Sequence, residues 1–426
     1  MTSNRITATY HVETSYPLLD AARALAGEQS SGTFVDVPGE TDELQERHSA
    51  RVEEVVELDV SESPSLPGAS PPDGSEGKRE YTRGTVTLSF PVENVGASLP
   101  NLRTTVAGNG FELRQFSGIR LKDLTVPDSF AREFPGPAFG IEGTREVVDV
   151  WDRPIIGTIV KPSVGLTPTE TADLVGNLVE SGLDFVKDDE LIANPPYSPV
   201  EERVEAVMDV IHRHEDRTGD RVMYAVNITG DVETMLSLHD VVKEAGGNCV
   251  MVSINSVGLS GVLALRKEAD LPIHAHRNGW GALSRHPLLG FDYAAFQKFW
   301  RLAGVDHMHV NGIRNKFCES DASVIRSART CQTPIADESD TVMPVFSSGQ
   351  WAGQAPETYE ALGNADLMYL CGGGILGHPD GPAAGVTHLK QGWEAAMSGV
   401  PLEAYAEEHA ELRRGIEQFG PVGSGR

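Results

Sequence analysis

At 426 residues, 40% of them hydrophobic and 7% aromatic, the chain has room for a barrel of roughly 250 residues and a second domain. Its 62 acidic residues outnumber 35 basic ones for a net charge of −27, which makes nucleic acid and anionic membrane poor partners. No apolar run approaches the ~18 residues of a membrane helix, and the opening MTSNRITATYHVETS lacks a signal core, so a cytoplasmic location is expected.

Lysine occurs only at positions 78, 122, 161, 187, 243, 267, 298, 316 and 390, so arginine supplies most of the positive charge. An acid-rich, lysine-poor surface suits a high-salt cytoplasm, where screening removes the self-repulsion that opposes compaction. A halophilic source is therefore expected, and a lysine kept against that trend is a candidate for a specific task. Cys249, Cys318, Cys331 and Cys371 form no C-x-x-C pair, which argues against a zinc knuckle or a disulfide framework. Each reads as a small buried hydrophobe.

Ile6 to Val12 reads as a strand, and Tyr16 to Ala26 as a helix with Leu18, Leu19, Ala22 and Leu25 on one face. Ser61 to Gly77 is rich in Pro, Gly and Ser and reads as a surface loop, because strand-like sequence resumes over Gly84 to Phe90. Residues 1–140 are thus read as an α+β sandwich domain with a flexible loop at 61–77.

From Trp151 the pattern changes to short apolar strands alternating with helices. Eight strands are expected at Pro154–Val160, Leu183–Val186, Val222–Val226, Cys249–Ile254, Ile273–Ala275, His307–Val310, Met343–Phe346 and Leu367–Leu370. Capping boxes are expected at Thr167-Pro-Thr-Glu170 and Ser198-Pro-Val-Glu201, each with proline at the first helical position. Eight such units over residues 141–426 predict an α/β fold, a parallel (β/α)8 TIM barrel. A doubly wound open sheet is the alternative that the pattern allows.

In a β/α barrel, chemistry gathers at the C-terminal strand ends. Those ends carry Lys161, then Lys187-Asp188-Asp189-Glu190, Asn227, His274-Ala-His276-Arg277, His307-Met-His309, Ser347-Ser348-Gly349 and Gly372-Gly373-Gly374. One such residue reads as a satisfied core polar group; seven clusters at one end do not. Asp189 and Glu190 offer hard oxygen ligands suited to Mg²⁺. Lys187 cannot ligate as an ammonium, so it is either a charge partner or converted by CO₂ to an anionic carbamate; spacing alone leaves both open. The glycine run after the last strand can bring backbone N–H groups to an anion, and Arg277, His309 and Lys316 add donors, though His307 and His309 also fit a packing role.

With those residues in place, the chain resembles the RuBisCO superfamily over almost its full length. The motifs are Gly157-Thr-Ile-Val-Lys161-Pro-Ser-Val-Gly165-Leu166, Gly182-Leu-Asp-Phe-Val-Lys187-Asp-Asp-Glu190, His274-Ala-His276-Arg277 and the loop His309-Val-Asn-Gly-Ile-Arg-Asn-Lys316. Pro344 to Gly349, Gly372 to Pro379, Gly27 to Thr33 and Gly108-Asn109 complete them. The resemblance implies that Lys187 is carbamylated and binds Mg²⁺ with Asp189 and Glu190. It implies that Lys161, Lys187, His276 and Lys316 are catalytic. It further implies that Glu28, Thr33 and Asn109 enter a neighbouring subunit's site, so that the smallest active unit is a homodimer, alone or in multiples. Phosphate would be held by Thr33, Lys316, Gly349, Gly372 and Gly373 at one end, with Arg277, His309 and Ser347 serving the other.

The departures from the family's carboxylases narrow the chemistry. Ser163 replaces the second lysine of K-P-K, Trp280 replaces a histidine, Phe34 a tryptophan and Ser348 a glycine, and the sequence stops soon after its last helix. The chain therefore resembles a RuBisCO-like protein that keeps Mg²⁺ and enolate chemistry. Within that group it looks most similar to enzymes that act on 3-oxo-isoapionate 4-phosphate, by decarboxylation or by hydrolysis with carboxyl transfer. The other readings are an enolase or isomerase of a methylthio-ketose phosphate, a ribulose-bisphosphate carboxylase, and a non-catalytic binding protein.

Overall fold

The computed structural model describes residues 4–32, 38–72 and 80–420. Among them the strands of the first half are β1 (Arg5–Thr14), β2 (Arg51–Ser61), β3 (Tyr81–Pro91) and β4 (Phe116–Thr125). Next come β5 (Ile155–Ile159), β6 (Phe185–Lys187), β7 (Met223–Asn227), β8 (Cys249–Ser253) and β9 (Ile273–His276). The last are β10 (Leu289–Phe291), β11 (His307–His309), β12 (Met343–Phe346) and β13 (Met368–Leu370). Two compact units result: Met1–Gly136 with Gly279–Ala303 and Ile335–Asp337, and Pro137–Asn278 with Gly304–Pro334 and Glu338–Arg426.

The first unit is built on a five-stranded sheet of order β10-β4-β1-β3-β2. Period-two alternation buries Ile6, Ala8, Tyr10 and Val12 of β1 with Val86, Leu88 and Phe90 of β3. Helix Leu18–Glu28 buries Leu18, Ala21, Ala22 and Leu25. It lies close to the sheet: a Cβ on Gly84 would stand 2.3 Å from Leu18 Cδ2, so only glycine fits there. The described part of the Pro/Ser-rich segment is pinned. Leu66 N donates to Ser117 O at 3.0 Å and Ser70 N to Arg114 O at 2.9 Å. Buried Glu13 accepts from Ser65 N, Ser65 Oγ, Ser117 Oγ and Arg83 Nε, each at 2.7 Å. Residues 73–79 lie outside the described residues.

The second unit holds a closed parallel barrel, β5 through β9 followed by β11, β12 and β13. The open-sheet alternative is thereby excluded. All eight expected strands form, each within the expected segment or one residue beyond it. Ile155, Phe185, Met223, Ala225, Cys249, Met251, Met343, Val345, Met368 and Leu370 fill the interior, joined by Val148 and Val150 from ahead of β5. At the N-terminal end, Asp306 fixes helix Gly140–Val148 by accepting from Phe139 N at 2.6 Å and Gly140 N at 3.2 Å.

One capping box forms and one does not. Thr167 Oγ1 and Glu170 cap each other's backbone as expected. At helix Val200–Thr218 the N-cap is Pro199 with no side-chain cap, and Asn194 Oδ1 takes the Val200 amide at 2.8 Å. Ser198 is instead bound by Arg203, whose Nη1 donates to its carbonyl at 2.5 Å. Cys249, Cys331 and Cys371 are buried as expected, but Cys318, in the exposed stretch Lys316-Phe317-Cys318, is not. Among the described residues, no helix is long and apolar enough to cross a membrane.

Candidate active site

The strand ends of the barrel bring Lys161, Lys187, Asp189, Glu190 and His276 together. Lys187 ends β6 and is 1% exposed, with Nζ donating to Asp188 O at 2.7 Å and standing 3.6 Å from Glu190 Oε2. Burial pulls its ammonium below the ordinary lysine range, partly offset by Glu190 and Asp189. Lys161 Nζ donates to Asp189 Oδ2 at 2.5 Å and to Ser163 Oγ at 2.7 Å. Burial alone would raise the Asp189 carboxyl, but hydrogen bonds from Lys161, Leu191 N and Ser163 bring it below the ordinary range. Glu190 Oε2 lies 3.5 Å from His276 Nε2. Burial and the Lys187 charge push His276 down to about 3, against the opposing pull of Glu190. Its Nδ1 is buried with no hydrogen-bond partner among the described residues.

Beneath this cluster lies a network that sequence reasoning missed. Asp188, the middle of the motif, points away from the rim and accepts from Tyr224 Oη at 2.6 Å, Asn227 N at 2.9 Å and Arg203 Nη2 at 3.1 Å. Arg203 is fully buried, and its Nη2 also donates to Ala193 O at 2.7 Å. These bonds hold the Asp188 carboxylate against β7 and Arg203, and so fix the residue that stands between Lys187 and Asp189. Arginine at the buried face of an otherwise amphipathic helix was the available signal, since a buried guanidinium needs an anion.

The histidines of β9 and β11 form a buried group. His309 Nε2 meets His274 Nε2 at 2.8 Å and its Nδ1 meets Ser347 Oγ at 3.1 Å, so both ring nitrogens are engaged. Arg277 is paired with Glu319, which also accepts from Asn311 Nδ2 at 2.9 Å and Ser323 Oγ at 2.8 Å. Glu319 was not anticipated; its partner is 42 positions away, and no local spacing marks it. Ser348 adopts φ 74°, a left-handed conformation rare for serine, and donates to Asn311 Oδ1 at 3.1 Å.

Lys316 is exposed, with Nζ 5.3 Å from the Phe317 ring centroid, and its amide donates to Ser348 O at 3.3 Å. That bond sets the lysine beside Gly349, whose φ of 87° favours glycine. A Cβ on Gly373 would meet nothing within 4 Å, and one on Gly372 only Ile159 Cδ1 at 4.0 Å, so both backbones face open space. Glu28 and Asn109 belong to the first unit. Gln29 ties their segments together, accepting from Gly110 N at 2.9 Å and donating to Thr105 O at 2.6 Å. Thr33 and Phe34 lie outside the described residues.

Residues 140–419 match the model of the ribulose bisphosphate carboxylase large chain, catalytic domain, and residues 2–130 that of its N-terminal domain. The chain belongs to the RuBisCO large-chain family. It is 48% identical over 416 residues to a 3-oxo-isoapionate-4-phosphate decarboxylase of Rhizobium rhizogenes, covering 97% of this chain and 98% of that protein. It is 54% identical over 415 residues to a 3-oxo-isoapionate-4-phosphate transcarboxylase/hydrolase of Xanthobacter autotrophicus, covering 97% and 99%. The crystal structure of a rubisco-like protein from Burkholderia fungorum superposes with a TM-score of 0.91 at 47% identity, covering 97% of this chain and all of that one. An archaeal RuBisCO crystal structure superposes with a TM-score of 0.85 at 33% identity, covering 100% and 98%. In this RuBisCO-family chain Ser163 accepts from Lys161, and the Trp280 ring packs 4.8 Å from that of Phe296.

Proposed function

We propose that this RuBisCO-like chain is a Mg²⁺-dependent carboxy-lyase that decarboxylates 3-oxo-isoapionate 4-phosphate. The observation that carries this reading is the substrate named for relatives 48–54% identical over 97% of the chain. Among the described residues, no three His, Cys, Asp or Glu side chains form a metal site by themselves. Two carboxylates and a lysine fit Mg²⁺ if the lysine becomes an anion. Burial favours the uncharged Lys187 amine, the form to which CO₂ adds, and the carbamate would stand as a third oxygen donor beside Asp189 and Glu190. When bound, Mg²⁺ supplies positive charge that stabilises an enediolate oxygen.

The chain's own residues then have definite tasks. The bond from the substrate's carboxylate to its neighbouring carbon breaks, its electron pair enters the 3-oxo group as an enediolate, and CO₂ leaves. The Lys161 ammonium, held between Asp189 and Ser163, returns a proton to carbon and is reprotonated by water. His276, kept neutral by burial and with Nε2 facing the Glu190 carboxylate, can donate its Nε2 proton to a substrate oxygen. Lys316 with the amides of Gly349, Gly372 and Gly373 would hold the phosphate, while Arg277, His309 and Ser347 border the other end. Glu28, Thr33 and Asn109 would complete the site of a second copy, making a homodimer the smallest active unit. The acid-rich surface fits a cytoplasm of high salt.

A second reading, carboxyl transfer with hydrolysis of the same substrate, is favoured by the 54% relative. Mass spectrometry of the reaction with Mg²⁺ and bicarbonate at high salt separates them. Release of CO₂ and a product lighter by its mass is expected. Products that gain water without gas favour hydrolysis, and turnover that survives chelation or Lys187→Ala refutes the metal site.

A further inference from the structure

The three buried histidines are linked end to end. His307 Nε2 meets Thr144 Oγ1 at 2.9 Å, His307 Nδ1 meets His274 Nδ1 at 3.3 Å, His274 Nε2 meets His309 Nε2 at 2.8 Å, and His309 Nδ1 meets Ser347 Oγ at 3.1 Å. The chain runs from helix Gly140–Val148, at the N-terminal end of the barrel, to the C-terminal end of β12. Its direction is fixed at Thr144. That hydroxyl has one proton and gives it to Gly140 O, which can only accept. Towards His307 the threonine oxygen must therefore accept, so His307 carries its proton on Nε2.

Each neutral imidazole has one donor and one acceptor nitrogen, so one assignment forces the next. His307 Nδ1 accepts, hence His274 is protonated on Nδ1. His274 Nε2 accepts, hence His309 is protonated on Nε2. His309 Nδ1 accepts, hence the Ser347 hydroxyl donates to it. Burial holds all three rings below the ordinary histidine range, which keeps them neutral: His307 at about 3, His274 and His309 well below normal. Ser348, the alternative neighbour 3.5 Å from Ser347 Oγ, has committed its own proton to Asn311 Oδ1. Asn311 is oriented by donating its amide to the Glu319 carboxylate.

We infer that Thr144, His307, His274 and His309 are positioning residues that turn the Ser347 proton inward, so that Ser347 meets substrate only as a hydrogen-bond acceptor. It then takes a hydrogen bond from a substrate hydroxyl and offers none to a phosphate or carboxylate oxygen. His309, with both nitrogens engaged, orients Ser347 and does not itself grip an anion. The chain ends on a carbonyl and so orients protons without conducting them. This rests on the reading that Ser347 borders the substrate.

The test is nitrogen-15 NMR of full-length protein labelled at histidine, with Mg²⁺ and bicarbonate present and no substrate. His274 should be protonated on Nδ1, and His307 and His309 on Nε2. A proton on His274 Nε2, or two protons on any of the three rings, overturns the chain. Thr144→Val removes the terminal acceptor and should give mixed tautomers, whereas Thr144→Ser should keep the native set; unchanged tautomers in Thr144→Val refute the role of Thr144. Kinetics with 3-oxo-isoapionate 4-phosphate complete the test. Ser347→Ala should raise KM by roughly 2- to 12-fold, the value of one neutral hydrogen bond. The effect of Thr144→Val on KM should vanish in the Ser347→Ala background, while additive effects overturn action through Ser347. Absence of all turnover refutes the proposed substrate, and the tautomers then decide the chain independently.

Discussion

Arg203→Met tests the network beneath the Lys187 motif. Both Arg203 and Asp188 are at most 1% exposed, so the variant strands a buried carboxylate. Breaking a buried ion pair from one side costs about 3–5 kcal/mol. Asp188 keeps its bonds from Tyr224 at 2.6 Å and Asn227 N at 2.9 Å, which argues for the lower part of that range. The carbonyls of Ser198 and Ala193 also lose their donor, adding about 1 kcal/mol each. The net expectation is a loss of about 5 kcal/mol, read as a fall in the urea midpoint by circular dichroism. Adding Asp188→Asn removes the stranded charge, so the double variant should recover about 2 kcal/mol. A single variant within about 1 kcal/mol of the native protein, or a double variant no better than the single, would refute the reasoning.

Lys161→Met should lower kcat by a factor on the order of 10²–10⁴ with KM little changed, measured as CO₂ release; an unchanged kcat removes Lys161 as the proton donor. His307 is held at about 3 by burial, so the unfolded chain takes up its proton first. Stability present above the unfolded value of about 6.5 is lost as pH falls toward the folded one, at up to ~1.4 kcal/mol per pH unit. His307→Gln should show a slope shallower by that amount in urea titrations at successive pH values, and equal slopes would contradict the burial argument. With a net charge of −27, the unfolding temperature should rise as KCl is added from dilute to molar concentrations; a flat profile would remove the case for high-salt adaptation.

The barrel was legible because most of its strands are short apolar runs with polar residues or glycines at their ends, and both signals are local. Thr167 and Glu170 behaved as their spacing predicts, whereas Ser198 and Glu201 did not, since Asn194 and Arg203 compete for the same groups. Strand β10 has three residues, too few for any periodicity, and owes its existence to β4 far earlier in the chain. In the site, Lys187, Asp189 and Glu190 stood out by motif. Asp188 was hidden by its position between them, and Glu319 by distance from Arg277. The histidines could be seen singly at strand ends, but their order depends on a threonine in a helix 163 positions from His307.

Strand β10 also bears on how the protein is made. It pairs with the outer edge of β4, yet it is encoded after β9, between the fifth and sixth barrel strands. During synthesis the sheet of the first unit therefore waits with β4 as an open edge while five barrel strands emerge from the ribosome. The two halves of the gene cannot be separated cleanly: a fragment ending at Gly136 would lack its own border strand, and its β4 edge would be free to pair with other nascent chains.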